Sequence, residues 1–134
     1  IVSSTNYSDE YETPVLTAGK SFILGYTDDV DGIYKVSNDK VIIFDDFTTA
    51  SRLIDFDFKV KSSAMKILSN AKPELCRTDY LFFLIQSINI STDTHKRYWI
   101  SEFSTKKVKI HKIDEQDKIV KFINNAFKML DDII

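Results

Sequence analysis

From Asp114 to the end of the chain, Ile119, Ile123, Ala126, Phe127, Leu130, Ile133 and Ile134 fall on one face of a helix. No other feature narrows the possible folds as much. Asp114, Glu115 and Asp117 supply a cap and negative charge for the first turn. About twenty residues make a rod of roughly 30 Å. Its stripe is heptad-like and richer than one side of a small domain requires. The expectation is a helix that packs partly on its own domain and partly on a second helix.

The rest of the 134 residues must supply that domain. This length holds one hydrophobic core. Val41-Ile42-Ile43-Phe44 is a continuous apolar run, suited to a strand buried on both faces and ended by Asp45-Asp46. Residues 53–60 alternate apolar and charged after Ile54, which predicts a strand with one face inward. Met65–Leu68 reads as a short strand or a helical turn. Thr78 is placed to cap a helix over 78–88 through Leu81, Leu84, Ile85 and Ile88. Tyr98–Ile100 and Val108–Ile110 read as strands. The fold expected is α/β (α+β): a twisted mixed β-sheet, packed helices and a projecting C-terminal helix, divided at 1–113 and 114–134. Ile1 in place of Met, and an apolar helix running to Ile134, suggest a fragment whose N-terminal part is missing.

No apolar run reaches the 18–20 residues or so that a membrane span needs. Lone Cys76 points to a reducing cytoplasm. A net charge of −2 argues against a nonspecific nucleic-acid coat. The charge is segregated, however. Residues 1–58 carry 4 Lys/Arg against 11 Asp/Glu, residues 59–77 carry 5 against 1, and residues 95–112 carry 6 against 1. One face can therefore be positive although the molecule is acidic.

Catalytic chemistry has one candidate. Asp45 or Asp46, followed by Asp57-Phe58-Lys59, has the layout of a Mg²⁺-dependent nuclease, in which carboxylates hold the metal and a lysine helps activate water. The same residues also read as a strand terminus and the solvent-facing half of an alternating strand. His95 and His111 lack metal-ligand neighbours, and there is no Gly-rich phosphate loop. Recognition chemistry is more abundant. Thr94-His95-Lys96-Arg97-Tyr98-Trp99 gathers cations and aromatics, Thr48-Thr49-Ala50-Ser51-Arg52 gathers hydroxyls and an arginine, and Lys59-Val60-Lys61-Ser62-Ser63 continues the theme. The expected phosphate contacts are Lys59, Lys61, Lys96 and Arg97. The expected base-edge readers are Thr48, Thr49, Arg52, His95 and Tyr98.

The order of several segments resembles a known family. Thr13–Lys20 leads to Phe22–Tyr26, then to Val41-Ile42-Ile43-Phe44-Asp45-Asp46-Phe47-Thr48 and Phe58–Ala64. Glu115-Gln116-Asp117-Lys118-Ile119-Val120 then opens the long helix. Together these resemble the target-recognition domain of type I restriction–modification specificity subunits, from about Thr13 to Ile134. A Leu-Pro-rich approach to the final helix, common in that family, is replaced here by Ile110-His111-Lys112-Ile113-Asp114.

The resemblance implies a non-catalytic reader of one half of a bipartite site in double-stranded DNA. It implies that the final helix begins a spacer, with Ile119, Ile123, Phe127 and Leu130 facing a second recognition domain or a homodimer partner. It also implies methyltransferase and restriction subunits as partners, with S-adenosylmethionine carried by the methyltransferase and no cofactor in this chain. Three rivals stay open. One is the nuclease of Asp45, Asp57 and Lys59. Another is an immunity or adaptor module docking through its C-terminal helix. The third is a recognition domain fused within a single-chain restriction–methylation enzyme.

Overall fold

The computed structural model of the chain describes residues 7–17, 22–88 and 97–133. Six strands come first: β1 (Thr13–Leu16), β2 (Ile23–Thr27), β3 (Val41–Asp45), β4 (Ser51–Ile54), β5 (Lys59–Val60) and β6 (Met65–Leu68). Helix α1 (Thr78–Ser87) follows, then a π-helical turn at Trp99–Phe103 and helix α2 (Ile113–Ile133). The fold class is α+β, as expected, but the strands form two three-stranded sheets rather than one. The first is mixed, in the order β2-β1-β5, with β1 and β5 parallel; the second is antiparallel, in the order β4-β3-β6.

β3 explains the architecture. Every one of its residues is buried. Val41 and Ile43 face the first sheet, meeting Leu16, Ile54, Phe58 and Met65. Phe44 points the other way, onto Tyr98 and Phe103 with Leu68 and Ile85 beside it. A strand sandwiched between two apolar layers needs no polar face, hence its continuous apolar run. Each such side chain contributes roughly 1.5–3 kcal/mol of burial.

The predicted strand over 53–60 is broken. The chain leaves β4 at Ile54 and crosses to the other sheet, where Phe58 bridges Tyr34 and Lys59-Val60 pairs with β1. Ile54 and Phe58 are both buried, one on each sheet, while Phe56 between them is exposed. The period-2 pattern thus spans a crossover. Nor do strands form at 98–100 and 108–110. The first segment docks side-on as the π-helical turn, its Tyr98 N–H donating to Asp46 O (2.7 Å). The second is irregular, with Val108 and Ile110 exposed.

Helix α1 matches the expected 78–88 within a residue, but Thr78 does not cap it. Arg77 occupies the cap position, and the Thr78 hydroxyl donates to Asp39 Oδ2 while accepting from Asn70 Nδ2 (3.1 Å). Cys76, Tyr80 and Val120, flanked by Leu84 and Ile119, join α1 to the root of α2. No helix among the described residues is long and apolar enough to cross a membrane.

Candidate nucleic-acid interface

The β3–β4 connection is held by the acidic pair that ends β3. Asp45 Oδ1 accepts the N–H groups of Phe47 (2.8 Å) and Thr48 (2.7 Å) and the Thr48 hydroxyl (3.0 Å). The Asp45 carbonyl takes Thr49 N–H (2.9 Å). These bonds force Thr49 to φ = 63°, an unusual conformation for a β-branched residue. Thr48 and Arg52 are exposed and Thr49 is half-buried; the Thr48 hydroxyl is used within the turn, also accepting Ala50 N–H (3.3 Å). The Arg52 guanidinium lies 4.7 Å from the centroid of the Phe22 ring.

Asp46 is fully buried. Its Oδ2 accepts Arg97 Nε (2.8 Å) and lies 3.7 Å from Lys66 Nζ; its Oδ1 accepts Trp99 N–H (2.8 Å). The Arg97 side chain stays 48% exposed and lies 5.5 Å from the centroid of the Phe47 ring. The 45–49 turn and the segment beginning at Arg97, far apart in sequence, are thereby brought together. Beside them an open groove of about 810 Å³ runs between Thr49–Leu53, the α1 residues Phe82, Ile85 and Gln86, and Phe103. Thr48, Thr49, Arg52 and Arg97 thus gather around one hairpin turn and its groove.

Other expected contacts are placed differently. Lys59 is 1% exposed and its ammonium is bonded to Asp29 Oδ2 (2.7 Å), so its charge serves the first sheet and does not face a phosphate. That bond, with the Asp31 N–H, holds the Asp29 carboxyl below its ordinary pKa. Tyr98 is fully buried against Phe44, which removes it from base-edge reading. Lys61 is half-buried next to β5, its Nζ 5.7 Å from the centroid of the Tyr7 ring. His95 and Lys96 lie outside the described residues.

The nuclease residues are not assembled. Asp45 is occupied by its own turn and Lys59 by Asp29. Asp57 accepts Val36 N–H (2.9 Å), which lowers its pKa, and lies 3.4 Å from Lys35. Among the described residues no three His, Cys, Asp or Glu side chains gather as a metal site.

Two residues carry more than the sequence reading gave them. Asp46 looked like a strand terminator, and nothing in sequence links it to Arg97. Gln116 stood out only as part of the Glu-Gln opening of α2. It is fully buried: Oε1 accepts Arg77 N–H (2.9 Å), and Nε2 donates to Leu75 O (3.0 Å) and His111 O (2.7 Å). Arg77 adds bonds to Asp79 (3.0 and 2.8 Å) and Asp117 (2.8 Å). The root of α2 is therefore stitched to the start of α1. Ile119 packs at this junction and Ile123 is half-buried. Further on, Phe127 (55%), Leu130 (52%) and Ile133 (79%) are exposed.

No family model matches the chain. It is 43% identical over 133 residues to the type I restriction enzyme EcoR124I/EcoR124II specificity subunit of Escherichia coli. The match covers 98% of this chain and 33% of that subunit, so the chain spans about a third of its relative's length. The resemblance to the target-recognition domain of type I specificity subunits is thereby borne out across nearly the whole sequence.

Proposed function

We propose that this chain is a target-recognition domain that reads one half of a bipartite DNA site for a type I restriction–modification system, itself without catalytic chemistry. The observation that carries the reading is the similarity to a specificity subunit, 43% identity over 98% of this chain. The geometry supports it. Thr49 and Arg52 follow a turn braced by a buried carboxylate, with Arg97 held beside it, and groups preset in this way suit phosphate and base-edge contacts. Arg97, Lys96 and Lys61 take phosphates in this reading, and Thr48, Thr49, Arg52 and His95 face base edges. Methyltransferase and restriction subunits supply the chemistry, the methyltransferase carrying S-adenosylmethionine.

The distal face of α2, through Phe127 and Leu130, is the start of a spacer that packs against a second recognition domain or a second copy. That exposed apolar face also suits an adaptor module, and DNA separates the two readings. Exchanging residues 1–113 of a complete specificity subunit for the corresponding part of a subunit with another target should change one half of the methylated sequence. Mapping methylated bases in cells reads the outcome. An unchanged site would refute the assignment.

A further inference from the structure

Within the proposed reading, one buried group does more than end a strand. Asp46 is a fully enclosed carboxylate at the point where the β3–β4 turn meets the Arg97 segment. Enclosing a carboxylate is costly before any partner is counted. A partner as exposed as Arg97 returns little of that through stability alone. The arrangement instead fixes a direction. Asp46 N–H donates to Ala64 O (3.0 Å) and its carbonyl accepts Tyr98 N–H (2.7 Å), so the residue is anchored at its backbone. Its two carboxylate oxygens then divide the work: Oδ1 holds the Trp99 backbone, and Oδ2 holds the Arg97 guanidinium at 2.8 Å with Lys66 Nζ farther off at 3.7 Å. The Phe47 ring lies against the same guanidinium.

We infer that Asp46 is the positioning residue for Arg97, setting its guanidinium beside the 47–49 turn before DNA arrives. An arginine side chain has many rotamers to lose when it is immobilised. Holding it during folding removes much of that cost from DNA association. The inference rests on the DNA-reading function proposed above.

The test uses the complete specificity subunit assembled with its methyltransferase subunits, and a duplex bearing the site mapped by methylation. Affinity is measured for the wild type, Asp46→Asn, Arg97→Gln and the double variant. Asparagine keeps the shape and an oxygen for Trp99 N–H but loses the charge that holds the guanidinium. Arg97→Gln should weaken binding about tenfold or more. Asp46→Asn should weaken it comparably, and the double variant should bind no worse than Arg97→Gln alone. A purely structural Asp46 would cost the same factor in both backgrounds, and that result would overturn the inference. So would an Arg97→Gln complex that binds normally.

Should Asp46→Asn fail to assemble, Arg97→Lys decides. Lysine keeps the charge but not the guanidinium whose Nε–H Asp46 holds, so it should bind more weakly than arginine; arginine-like affinity would overturn the inference. The underlying function is judged separately. If exchange of the whole domain moves the methylated half-site, DNA reading stands whatever the cycle shows. If the site does not move, both fall.

Discussion

Thr49 is where strain and use meet. A β-branched residue at φ = 63° is held there by the bonds of the Asp45 turn. Glycine takes that conformation freely. Thr49→Gly should therefore raise stability by up to about 1 kcal/mol, read from urea unfolding, while weakening specific DNA binding if the hydroxyl is a reader. The Asp29–Lys59 pair makes a different prediction. Lys59 is enclosed, and among the described residues its ammonium meets one carboxylate, itself 34% exposed. Asp29 and Asp57 both titrate below their ordinary value of 3.8 in the folded chain. Their contribution is therefore complete above the unfolded pKa and is lost as the pH falls through the folded one. Stability should be level with respect to these groups above about pH 5 and decline below it. Asp29→Asn should lower the unfolding midpoint at neutral pH and flatten that acid limb.

Among the elements, the junction of α1 and α2 depends on one amide. Gln116→Ala strands the Arg77 N–H and two carbonyls in a closed site. The expected loss is about 2–4 kcal/mol, measured by denaturant unfolding. Leucine at this position would fill the volume and still leave those groups unpaired, so it should rescue little. How much was legible follows from the range of the forces involved. β3 could be read because burial on both faces leaves a continuous apolar run. α2 could be read because its stripe and acidic first turn are local signals. Residues 53–60 misled because Ile54 and Phe58 reach the same core from either side of a crossover, and a period carries no mark of one. Tyr98-Trp99-Ile100 reads as β-prone, yet Asp46, some fifty residues earlier, captures its backbone. The hydroxyl turn and Arg97 were visible as chemistry. The burial of Lys59 and Tyr98 was not, because it depends on which strand lies beside which.

For the molecule as a whole, the two ends of α2 live in different surroundings. Its first turns are packed and stitched, whereas Leu130 and Ile133 face outward. Leu130→Glu with Ile133→Lys should leave the unfolding free energy within about 0.5 kcal/mol of wild type. In the proposed reading, where α2 packs on a second copy, the same pair should abolish that association, seen by sedimentation of the chain before and after substitution. A loss of stability comparable to Gln116→Ala would instead mean that the distal turns belong to this domain's own core.

The stitched root also makes α2 a cantilever. From about Lys121 onward the rod runs roughly 20 Å beyond its fixed end. A tilt of about ten degrees at the root would then carry the tip about 3.5 Å, close to one base-pair step of DNA. In the proposed reading, where α2 begins a spacer between two half-sites, an error of that size would blur the spacing, and the Gln116 amide would be what keeps the rod at its angle.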